Sequence, residues 1–163
     1  MGARSCERAM QGYDFTRAQL PALLSLKFLP EQPPEESAVL LAWLAEHGPE
    51  YDRFSFSVRV GQGQAPDPNF LPGVQRSQAF STKKRIDALA WQGSAITLVE
   101  AKRRVSADAL GKCLMYRQLL LEELPDAAEP RLVVVGLYGD ADVIRVLNGH
   151  GIDVLLYETA IAR

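Results

Sequence analysis

Between Lys83 and Lys102 the chain reads Lys-Lys-Arg-Ile-Asp-Ala-Leu-Ala-Trp-Gln-Gly-Ser-Ala-Ile-Thr-Leu-Val-Glu-Ala-Lys, and no other stretch restricts its fold so strongly. Two apolar runs, Lys84 to Trp91 and Ala95 to Lys102, flank a turn at Gln92-Gly93-Ser94, so the stretch predicts a β-hairpin. Asp87 lies on the first run, and Glu100 and Lys102 end the second. Side chains alternate along a strand, so Glu100 and Lys102 share a face and Ala101 takes the other. Ile96, Leu98 and Val99 make the second strand apolar, which puts the charges where burial begins. An isolated buried carboxylate is costly, so the fold must give this cluster a partner or an ion.

The rest of the chain supplies a setting. Prolines 21, 30, 33 and 34 break up residues 1–33, which read as an N-terminal extension with one short apolar turn, Leu20 to Leu29, able to dock on the body. Pro33-Pro34 opens a helix in which Val39, Leu40, Trp43, Leu44 and His47 share a face, and Gly48-Pro49 stops it. Arg53 to Val60 alternates as a half-buried strand. Gly61 to Gln78 is rich in Gly, Pro and Gln and reads as a long loop. Its Gly61-Gln-Gly-Gln start lacks the third glycine of a dinucleotide fingerprint and runs into Pro66-Asp67-Pro68.

After the hairpin, Ser106 is placed to cap a helix from Ala107 to about Leu124, ended by Pro125. Leu110, Leu114, Leu121 and Leu124 form one stripe on it, with Met115 and Leu119 nearly opposite. Arg117 falls inside the stripe and is expected to snorkel or pair with an acid. A helix apolar on two sides fits either a homo-oligomer contact or cover by the N-terminal extension. Leu132 to Tyr138 is a central strand, Asp140 to Asn148 a short helix, and Ile152 to Tyr157 a last strand. The order α-β-β-β-α-β-α-β predicts an α/β fold, a mixed central sheet flanked by helices.

The 163 residues suffice for one domain. The net charge of −2 hides an asymmetry: residues 76–117 hold nine basic and three acidic side chains, whereas both flanks of the chain are acidic. This basic segment contains the whole Asp87–Lys102 cluster, and it reads either as a surface for a phosphate backbone or as a solvated face. Two cysteines, Cys6 and Cys113, make a disulfide framework unexpected and point to a reducing, cytoplasmic setting. No apolar run approaches a membrane span, and the first residues lack a signal-peptide pattern. With His47 and His150 the only histidines, His-rich and Cys₄ zinc sites are excluded.

The cluster suits one kind of chemistry. Asp87 and Glu100 are hard oxygen ligands fit for Mg²⁺, which keeps several waters and meets phosphate oxygens. Lys102 beside such an ion can orient or deprotonate an attacking water and steady developing negative charge. A bare Glu-x-Lys also occurs as an ordinary surface pair; the apolar lead-in, the preceding Ile86-Asp87 strand and the following helix argue against that here.

Ile86-Asp87, a hairpin, Val99-Glu100-Ala101-Lys102 and a helix with Lys112 and Tyr116 together resemble the PD-(D/E)xK nuclease superfamily, in its RecB-like, resolvase-like and phage-encoded branches. The resemblance implies a restriction-endonuclease-like α-β-β-β-α-β core, here within a nuclease-like domain at 34–163. It implies Mg²⁺ held by Asp87, Glu100 and the Ala101 backbone carbonyl, with Mn²⁺ able to substitute, and Lys102 as the catalytic lysine. Ile86 stands where such enzymes often have proline, a variation they tolerate. Their helix often carries Gln-x-x-x-Tyr; here Lys112 replaces the glutamine four residues before Tyr116.

The supporting residues keep two readings each. Lys112 and Tyr116, neighbours on a helix, either face a phosphate together or are a peripheral lysine and a core tyrosine. Glu36 either answers its helix dipole or adds a carboxylate to the metal site, and its inward face makes it a better candidate than Glu35. Lys83, Lys84, Arg85, Arg103 and Arg104 flank the cluster as DNA-backbone contacts or as plain surface charge. The expectation is a Mg²⁺-dependent DNA nuclease, an endonuclease of resolvase or phage DNA-processing type. The alternative is a structural or DNA-binding protein, such as a phage assembly component in a virion, that keeps the fold. A small-ligand α/β domain finds no phosphate-binding glycine loop in its favour.

Overall fold

Pro34 at the first helical position and the apolar face behind it start a helix as spaced, Pro34–His47 (α2). The computed structural model describes residues 10–162, so Cys6 and the first nine residues of the expected extension lie outside the described residues. The remaining elements are β1 Tyr13–Thr16, α1 Leu20–Leu24, β2 Arg53–Val60, α3 Pro72–Ser81, β3 Lys84–Gln92, β4 Ala95–Val105, α4 Asp108–Glu123, β5 Arg131–Gly139, α5 Ala141–Gly149 and β6 Ile152–Leu156.

The six strands form one sheet in chain order. β1 to β4 pair antiparallel, and β4, β5 and β6 pair parallel through the crossovers α4 and α5. The fold is thus the expected mixed central sheet flanked by helices. Each face carries its own core. Val39, Leu40, Trp43 and Leu44 of α2 pack on Phe54, Phe56, Ala88, Val99 and Ala101. Ala109, Cys113, Tyr116 and Leu120 of α4 pack on Val58, Ile86, Leu89, Leu98 and Val134, beside Leu147 of α5. Gly136 lets β5 lie close to β4, since a Cβ there would stand 2.6 Å from Val105 and 3.2 Å from the Lys102 carbonyl.

Five local expectations are corrected. β2 is buried on both faces rather than half-buried, since Ser55 and Ser57 are covered along with Phe54, Phe56 and Val58. The segment 61–78 is not all loop, because Pro72 opens α3. No residue of α3 is buried, so it leaves no apolar stripe in the sequence; side-chain bonds such as Gln75 Nε2 to the Phe70 carbonyl (2.6 Å) hold it. The N-terminal extension is more than a docked turn. Leu20, Leu23 and Leu29 are buried in the α2-side core as expected, but Tyr13–Thr16 also adds a strand to β2. Ser106 does not cap α4 through a backbone N–H; its hydroxyl donates to the Asp108 carboxylate, and Ala107 is the cap position. The buried stripe of α4 is Ala109, Cys113, Tyr116 and Leu120, with the leucines expected there only partly buried on its flanks. Small side chains at Ala109 and Cys113 bring the helix close to the sheet, which turns the longer leucines aside. Arg117 reaches Glu129 at 4.0 Å, the acid pairing expected of it.

Candidate metal centre

The site forms where two strands part. β3 and β4 pair from Gln92↔Ala95 to Ala88↔Val99 and then stop. The next positions in register are Asp87 and Glu100, so the carboxylates face each other across the opening. Asp87 Oδ2 accepts from the Ala101 backbone N–H at 2.9 Å, standing in for a strand partner. In an extended strand the N–H and C=O of one residue project toward the same edge. The Ala101 carbonyl therefore faces the same gap.

The neighbouring ladder breaks at the same level. β2 and β3 pair at Phe56↔Ala88 and at Val58↔Ile86, leaving out Ser57 and Asp87. Ser57 is buried with φ at +53°, a left-handed conformation that costs on the order of 1–3 kcal/mol in a non-glycine residue. The side-chain alternation skips a step there. Phe54, Phe56, Ala88 and Ala90 face the α2-side core, whereas Val58, Val60 and Ile86 face the α4 side. Asp87 stands at this crease, in reach of both helical layers.

Burial and charge set the electrostatics. Asp87 is 5% exposed and Glu100 1%. Glu100 Oε1 lies 3.2 Å from Lys112 Nζ and 3.3 Å from Lys102 Nζ, and Lys102 Nζ also reaches Asp108 Oδ2 at 3.1 Å. Glu100 Oε2 is buried with no hydrogen-bond partner. Burial first, and then the Asp87 charge, push the Glu100 carboxyl up to about 8. The same two causes raise Glu36, which is half-buried beside them. Burial and the Glu100 charge raise the Tyr116 hydroxyl. Burial alone would lower Lys112, but the Glu100 carboxylate to which it donates and the Asp87 charge raise it. The Ser106 hydroxyl, ahead of Lys102, lowers Asp108.

A cavity of about 430 Å³ opens on this crease. Glu36, Lys84, Arg85, Asp87, Glu100, Ala101, Lys102, Lys112 and Tyr116 all line it. Arg103 and Arg104 do not. Arg103 lies on the Ala101 face of β4 and pairs with Glu35 at 3.3 Å, and Arg104 is exposed near the end of the strand. His47 packs at its helix end against Glu50.

The donors fit a hard divalent cation. Asp87, Glu100 and Ala101 all line this cavity and offer it carboxylate and backbone carbonyl oxygens. Among the described residues no group of three or more His, Cys, Asp and Glu side chains is placed to hold a metal. Protein donors here are thus two carboxylates and a carbonyl, which suits an ion that keeps waters.

Several residues at this site carried no signal in the sequence. Gln32 and Ser57 lie beneath Asp87, Arg59 and Thr82 complete the cavity wall, and Asp108 holds Lys102. A glutamine between prolines and a serine in an alternating strand look ordinary until the chain brings them together. Asp108 stands six residues after Lys102, and only the strand-to-helix turn shows that they meet.

No family model matches this chain, and no curated protein matches it in sequence. Two solved structures resemble it in fold. The crystal structure of a repair endonuclease from Pyrococcus abyssi aligns at 16% identity and a TM-score of 0.45, over 78% of this chain and 47% of that one. The crystal structure of a protein of unknown function aligns at 14% identity and a TM-score of 0.41, over 74% of this chain and 56% of that one. The chain spans about half the length of the structures it matches. Likeness at this level assigns no activity, so the functional reading rests on the site itself.

Proposed function

We propose that this protein is a Mg²⁺-dependent nuclease that hydrolyses phosphodiester bonds in DNA, an endonuclease of the resolvase or phage DNA-processing kind. One observation carries the reading: a buried, unpartnered Glu100 oxygen beside Asp87, at a gap between strands ringed by cationic side chains. Asp87, Glu100 and the Ala101 carbonyl would hold the ion, with Glu36 contacting one of its waters. When bound, Mg²⁺ or Mn²⁺ supplies Lewis-acid polarisation of the scissile phosphate and a more acidic water. Lys102, held between Glu100 and Asp108, orients the attacking water through Nζ and steadies charge gathering on the phosphate. Lys112 and Tyr116 on α4, with Lys84 and Arg85 on β3, offer donors to backbone phosphates along the cavity wall. Arg103 and Arg104 are left as contacts for DNA extending past the site.

The test is incubation of the protein with linear, circular and branched DNA in Mg²⁺, Mn²⁺ or EDTA. Cleavage is expected with either metal and not with EDTA, and Asp87→Ala and Lys102→Ala should each lower the rate by about 10²-fold or more. Cleavage that survives both substitutions would sink the assignment.

A second reading has its own support. Glu100 Oε1 already carries two ammonium groups, and Lys102 is shared with Asp108, so much of the network is satisfied without an ion. A structural or DNA-binding protein that keeps the fold, such as a phage assembly component, would show salt-sensitive DNA binding and no cleavage of any substrate.

A further inference from the structure

Asp87 has lost its partner on β2, and something else has taken that place. The β2–β3 ladder skips only Ser57 and Asp87 between its first and last pairs. Into this gap comes the segment just before α2. Gln32 Nε2 donates to the Asp87 backbone carbonyl and to Ser57 Oγ, both at 3.3 Å, and Ser57 Oγ donates to the Pro30 carbonyl at 2.7 Å. A carbonyl only accepts, so the amide nitrogen must face Asp87. That orientation leaves Gln32 Oε1 buried without a hydrogen-bond partner, in a residue only 7% exposed.

The segment is itself pinned to the site. Glu31 sits at φ +56°, its carboxylate takes Arg59 at 2.8 Å, and its carbonyl accepts from Arg85 Nη1 at 2.8 Å. Arg59 and Arg85 both line the cavity. A residue that merely filled space here would be apolar. A long amide brought from 55 positions away, with one of its own atoms left unsatisfied, is suited to fixing one carbonyl.

We propose that Gln32 is a positioning residue for the metal site. It replaces β2 as the partner of the Asp87 main chain and so fixes the angle at which the Asp87 carboxylate meets Glu100 and the Ala101 N–H. This rests on the metal-binding reading above. Ser57 serves the same end, because its left-handed turn withdraws the ordinary strand partner and holds the amide by its hydroxyl.

The experiment is Mn²⁺ titration by calorimetry on the full chain, with far-UV circular dichroism and thermal melting as folding controls. Gln32→Met keeps the volume and removes the donor. It should weaken Mn²⁺ binding about 10–100-fold, as loss of outer-shell partners does, while Asp87→Ala abolishes it. A purely structural role would lower the melting temperature and leave the affinity of the folded protein unchanged. Gln32→Met binding Mn²⁺ like wild type while Asp87→Ala does not would overturn the role of Gln32 and leave the metal site standing. Wild-type protein that takes up no Mn²⁺, or Asp87→Ala that binds as wild type does, would overturn both. Should Gln32→Met unfold, Ser57→Gly accepts the left-handed backbone and removes the hydroxyl that holds the amide. Weaker Mn²⁺ binding in that variant supports the proposal, and unchanged binding counts against it.

Discussion

Glu100 concentrates the conflict of the whole site, since it is almost fully buried, faces another carboxylate and has one oxygen unpartnered. Its carboxyl is raised from 4.5 to about 8, so the folded protein holds a proton there that the unfolded chain has already lost. The stability linked to that proton is complete below about 4.5 and is lost as pH rises through about 8. The melting temperature of metal-free protein should therefore fall across that window, and Glu100→Gln should flatten the fall. A wild-type profile as flat as the variant's would show that the lysines already hold Glu100 ionised. Cys113 gives a second test. Burial pushes its thiol up to about 12, so it should resist alkylation in the folded protein and react on unfolding, as thiol-labelling rates would show.

At the scale of elements, legibility followed burial. α2 buries one face and shows its helical period, β3, β4 and β5 are buried on both faces and show as apolar runs, and β2 alternates although its serine face is buried too. α3 buries nothing and β1 is four residues at a sheet edge, so neither leaves a pattern to read. The same contrast predicts dynamics. Amides of α3 should exchange with deuterium far sooner than those of α4, measured by hydrogen-exchange mass spectrometry. Within α4 the stripe misread from leucine spacing gives a mutational check. Leu120→Ala, at a fully buried position, should cost about 2–5 kcal/mol in urea unfolding. Leu121→Ala, at a partly buried one, should cost much less.

For the molecule as a whole, the N-terminal segment is part of the sheet and of one core. β1 covers the β2 edge, and Leu20, Leu23 and Leu29 fill the layer over α2. Removing residues 10–30 should uncover that layer and lower the urea midpoint sharply, whereas an independent extension would leave it in place. The hairpin, its three charged residues and the helices α2 and α4 are legible in the sequence alone, because each depends on the pattern of a short segment. The opening between β3 and β4, the left-handed Ser57, the amide of Gln32 under Asp87 and the hold of Asp108 on Lys102 were decided only by tertiary structure. Those features join residues far apart in the chain, and no local pattern records which backbone group will lose its partner when the sheet bends.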